Sequence, residues 1–95
     1  MAESPGVSAF IRERQHDVLD RAMTSLADAM PDDVASVAHR LAGTLGTFDL
    51  PDAAALMRDL EDRVADPGCS ADTRRGACDE VLAQLRRIAA DLKGA

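Results

Sequence analysis

Apolar residues recur along this chain in steps of three and four, and proline and glycine cut the pattern into four segments. From about residue 7 to 30, Phe10, Ile11, Val18, Leu19, Ala22, Met23, Leu26 and Met30 share one helical face. Pro31 opens a second segment, about 31–47, where proline suits the first helical turn. Asp32 and Asp33 follow at the positive end of its dipole. Its stripe is Val34, Val37, Leu41, Leu45 and Phe48. After the break Asp49-Leu50, Pro51 starts a third helix, about 51–65, with Ala53, Leu56, Met57, Leu60 and Val64 inward. Asp66-Pro67-Gly68 is a strong stop. Ser70 is the expected N-cap of a last helix, about 70–93, carrying Ala77, Val81, Leu82, Leu85, Ile88, Ala89 and Leu92. Four amphipathic helices joined by short loops pack most simply as an antiparallel up-down four-helix bundle. The expected fold class is all-α.

Composition narrows this picture. The 95 residues suit one domain, 1–95, and leave no room for a second. Aromatic residues make up 2% of the chain, with no Trp or Tyr, so the core must be aliphatic. A formal net charge of −6 argues against nucleic acid, whose phosphates demand a basic surface. The N-terminal residues lack the layout of a secretion signal, and no long apolar run is present. A soluble cytoplasmic protein is therefore expected, with no membrane partner. Cys69 and Cys78 have no CxxC spacing and no adjacent histidine, so free thiols are expected in a reducing compartment. Neither a metal nor a cofactor is expected.

The stretch "AHRLAGTLGTF", Ala38–Phe48, changes the picture from fold to chemistry. A helix turns 100° per residue, so Val34, Val37, Leu41 and Leu45 lie roughly 120–160° from His39. The histidine is thus expected in solvent, opposite the core stripe. Ser36, Gly43 and Gly46 share its face, and all are small. Gly43 turns away from the stripe, so packing inside the bundle does not account for a residue that costs about 1 kcal/mol in a helix. Access for something outside the protein does. Imidazole near its unperturbed pKa of about 6.5 is a competent nucleophile at neutral pH. On a convex helix, with no serine or cysteine partner in sequence, it suits entry into another protein's active site. Phosphoryl transfer fits, being mostly positioning and charge neutralisation. His16, on the first helix, reads as an ordinary surface residue.

His39-Arg40-Leu41-Ala42-Gly43-Thr44-Leu45-Gly46, preceded by Ala38, resembles the H-x-L-K-G-S-x-x-x-x-G signature of histidine-containing phosphotransfer (HPt) domains of bacterial multistep phosphorelays. The run "LPDAAALMRDLE" is similar to the following helix of that family. The motif is short, but the four-segment layout extends the likeness over nearly the whole chain. The resemblance implies that His39 accepts a phosphoryl group from a receiver-domain aspartyl phosphate and passes it to another receiver aspartate. It implies partners among response-regulator receivers or hybrid histidine kinases, Mg2+ held by the receiver, and no independent kinase activity. Gly43 would leave room beside the phosphorylated ring, and the small and apolar surroundings, including Ser36, Ala42 and Gly46, would dock the receiver.

Two positions depart from the pattern. Ala42 stands where the family has a phosphate-stabilising lysine, and Asp49 stands where glycine is common. Arg40, 100° around the helix from His39, and Arg58 are the candidate replacements for that charge. Folding the second and third helices about Phe48–Asp49 puts Arg58 level with His39. Ala42 also sustains a rival reading, a degenerate HPt-like bundle that binds a receiver or kinase without carrying phosphate. A third reading, dimerisation through an apolar surface with His39 incidental, is disfavoured because the Gly43 face offers little apolar area. A monomer is expected.

Overall fold

The computed structural model describes residues 5–94, with side-chain environments from Ala9 onward. Helix α1 spans Pro5–Asp28, a short 3-10 turn Pro31–Asp33 leads into α2, Val34–Thr47, and α3 and α4 span Pro51–Val64 and Ala71–Gly94. No strand occurs among the described residues. Each helix packs on its neighbours in chain order, and α4 closes back on α1. This is the expected all-α, up-down four-helix bundle. Among the described residues no helix is long and apolar enough to cross a membrane.

The core is aliphatic, built on Leu19, Leu26, Leu45, Met57, Leu60 and Leu85, each essentially inaccessible to water. The stripe in α2 differs from the expected one. Ala38 and Ala42 are buried with Val34, Leu41 and Leu45, whereas Val37 and Phe48 are only partly buried. Small side chains on that flank allow α3, the most extensive neighbour of α2, to approach closely. The face expected on α1 also changes at both ends. Phe10, Ile11 and Met30 are exposed. Met30 lies beyond the end of α1, and the other two have run out of partners. The Gln15 amide donates to the Phe48 carbonyl at 3.1 Å, which sets Gln15 level with the α2–α3 turn. Residues of α1 before Arg14 therefore project past that turn, alongside the end of α4.

The α2–α3 turn fixes the register around the candidate site. Asp49 has φ +58°. Its N–H donates to the Gly46 carbonyl at 3.2 Å, and that of Leu50 donates to the Leu45 carbonyl at 3.0 Å. This pair of bonds is the Schellman pattern, whose left-handed residue is usually glycine. Leu45 and Leu50, both buried, supply its apolar contact. Arg14 lies 6.0 Å above the Phe48 ring and covers the turn from α1. At the other end, Gly68 N–H donates to Asp66 Oδ1 and Thr73 N–H to Ser70 Oγ, so Ser70 caps α4 as expected. Arg74 joins this corner to the start of the second segment through Asp32 and the Asp66 carbonyl.

Candidate functional site

His39 sits in the middle of α2 with its side chain 77% exposed. Its ring has a carboxylate partner on the neighbouring helix. Nδ1 lies 3.2 Å from Oε1 and 3.1 Å from Oε2 of Glu61, on α3. An ionised carboxylate has only acceptors, so Nδ1 must carry the proton. In the neutral ring this leaves the lone pair on Nε2. Tautomer and orientation are thus set by the second hydrogen bond of the ring.

Glu61 is the residue that sequence reasoning missed. It belongs to α3, 22 residues away, and is 34% exposed at the edge of the helix pair. Folding about Phe48–Asp49 would have put Arg58 opposite His39. The Schellman turn instead carries the chain through Leu50 before α3 begins, which shifts the pivot and brings Glu61 there. Arg58 then falls three residues closer to the turn, level with Ala42. A carboxylate nearly three turns after the Pro51 start, together with allowance for a capped turn, is the signal that could have found Glu61.

Ser36, Arg40, Gly43 and Gly46 are exposed with His39 on the outer side of α2. Ala42 is not among them. It is 5% exposed and belongs to the core, because 300° of rotation from His39 turns it toward α3. Its methyl group offers no surface to a partner. A Cβ built on Gly43 or Gly46 would meet nothing within 4 Å. Neither glycine is required by the packing of this chain. Gly76 in α4 is equally unencumbered, so open space alone assigns nothing. Gly43 differs because it lies one turn from a tethered imidazole.

Beside this face, between α1 and α2, runs a groove of about 250 Å³ whose floor includes Val18, Leu41 and Phe48 and whose rim includes Arg14 and Arg21. Helix α2 contains no acidic residue, although the chain as a whole is acidic. Among the described residues no cluster of three or more His, Cys, Asp or Glu could hold a metal ion. Cys69 and Cys78 are free thiols. Burial pushes the Cys78 thiol up from its ordinary pKa.

No curated protein and no solved structure matches this chain. A family model, that of the Hpt domain, matches residues 8–95. The helical bundle agrees with that match. The chain belongs to the Hpt domain family, whose members carry phosphoryl groups on histidine in phosphorelays with receiver domains and histidine kinases, as carriers rather than independent enzymes.

Proposed function

We propose that His39 is the phosphoacceptor and that the protein relays a phosphoryl group between receiver-domain aspartates. One observation carries this reading. An exposed imidazole is held through Nδ1 by a carboxylate from another helix, so that Nε2 is presented as a nucleophile beside a glycine with no packing role.

The Nε2 lone pair attacks phosphorus of an aspartyl phosphate. The N–P bond forms, the bond to the aspartyl oxygen breaks, and the carboxylate leaves. The proton on Nδ1 stays in its hydrogen bond, where the Glu61 charge offsets the positive charge that develops on the ring. Transfer to the next aspartate is the reverse step. The receiver supplies its own Mg2+ and this chain supplies none. The convex face of α2 enters the receiver's site. Gly43 and Gly46 give clearance, and the α1–α2 groove receives apolar surface of the receiver.

A receiver carrying labelled phosphate should transfer an acid-labile, base-stable label to the protein, and His39→Gln should reduce it to background. Label that survives in His39→Gln would overturn the assignment. Binding of receivers without any label would establish the scaffold reading that the alanine at position 42 keeps open.

A further inference from the structure

Resting on the reading of His39 as phosphoacceptor, we propose that Arg58 of α3 supplies the cation that grips the phosphoryl group on Nε2. A phosphoryl group bonded to nitrogen carries negative charge on three oxygens, and its transfer spreads that charge over them. Position 42 cannot provide the countercharge, since it holds a buried alanine.

The register of the α2–α3 pair points to the substitute. His39 faces Glu61, and the two helices run antiparallel. Three residues back on α3 is therefore three residues forward on α2, which places Arg58 level with Ala42, about 4.5 Å along the axis from the histidine. Arg58 and Glu61 are neighbours at i, i+3 on α3. Glu61 is half-buried in the seam, and Arg58 is the exposed one of the two. The strip of α2 beside it holds Gly43 and Gly46, which carry no side chains, and a Cβ at either would meet nothing within 4 Å.

The other arginines near this end of the molecule are engaged or turned away. Arg63 bonds Glu80 at 2.6 Å, Arg21 pairs with Asp17, and Arg14 covers Phe48. Arg40 is exposed but lies 100° around α2 from His39, on the flank away from Glu61. The Nδ1 tether draws the imidazole toward α3, and so toward Arg58. A guanidinium suits the task because its planar fork donates two hydrogen bonds to two phosphoryl oxygens and keeps its charge throughout the physiological range.

The test separates this inference from the phosphoacceptor reading. His39 of the wild type, Arg58→Ala, Arg58→Lys and Arg40→Ala is phosphorylated with phosphoramidate, a small donor that needs no docking. Titration of the phosphoryl group is then followed by 31P NMR. A nearby cation favours the more charged form. Arg58→Ala should therefore raise the midpoint by roughly half a unit to one unit, with Arg58→Lys and Arg40→Ala close to wild type. Transfer from a phosphorylated receiver should slow by about tenfold in Arg58→Ala alone. Circular dichroism shows whether each exposed substitution leaves the fold intact. An unchanged midpoint in Arg58→Ala overturns the inference, and a shift in Arg40→Ala alone gives the role to Arg40. If the wild type takes label from neither phosphoramidate nor a receiver, the reading of His39 falls and Arg58 falls with it.

Discussion

The two histidines of this protein both lie on helices and both have a carboxylate within reach, yet they are different chemical objects. His16 on α1 is 23% exposed, and its Nδ1 stands 3.5 Å from Asp20 Oδ2, one turn along the same helix. It lines a cavity with Arg12, Glu13 and Lys93. His39 is 77% exposed, its carboxylate partner comes from a second helix at 3.1 Å, and the helix beyond it has been cleared of side chains. Proximity of a carboxylate is therefore not the distinguishing feature. A pair at i, i+4 follows from one helix and holds the ring only as well as two mobile side chains can. A pair across two packed helices is aimed by the bundle, and it leaves the outer nitrogen facing solvent.

That contrast can be broken or sharpened by experiment. The largest effect is expected from the histidines themselves. His39→Gln should remove transferable label completely, whereas His16→Gln should leave transfer from a phosphorylated receiver within about twofold of wild type. Equal loss in both would erase the distinction. Next come the carboxylates. Glu61→Ala releases the tautomer and orientation of His39 and should slow phosphoryl uptake by about 10–100-fold, the usual range for an orienting partner. Asp20→Ala should leave uptake unchanged. Stopped-flow or quench measurements with one receiver compare the two directly.

Clearance is the third element. A Cβ at Gly43 meets nothing within 4 Å, so Gly43→Leu should stabilise α2 by about 0.5–1 kcal/mol. It should nonetheless slow transfer from a receiver by roughly tenfold while labelling by phosphoramidate stays near wild type. Gly76→Ala, in equally open space on α4, should give the stability without the loss. Denaturant midpoints measured beside transfer rates would show whether the two glycines differ in this way. The smallest effect concerns the turn that sets the register. Asp49→Gly relieves a positive φ and removes a negative charge from the C-terminal end of α2. It should add about 1 kcal/mol, or roughly 4–8 °C in Tm, without altering transfer.

Much of this was legible in the residues. The periodic stripes specified four helices, and the direction of His39 followed from 100° steps against Leu41 and Leu45. Gly43 stood out because a costly helix residue faced away from the core. Asp49 stands in the sequence as a departure from glycine, and its φ of +58° gives the reason glycine is common there. The misreadings share a cause. Phe10 and Ile11 have helical spacing, but spacing does not reveal that α1 outruns the α2–α3 turn. Alanines carry a weak apolar signal, so periodicity alone does not place Ala38 and Ala42 in the core, where the neighbouring helix buries them.

The sequence by itself determined the local terms: which segments are helical, which side of α2 is apolar, and that an imidazole stands on the other side among small residues. These follow from backbone geometry and the hydrophobic period, which act over a few residues. Only the tertiary structure decided that Glu61 rather than Arg58 meets His39, which leaves Arg58 level with Ala42. That pairing depends on how a capped turn spends its residues between two antiparallel helices. A shift of three residues across the turn exchanges an arginine for a carboxylate beside the histidine. Such a shift leaves every local pattern intact, and so no local pattern could reveal it.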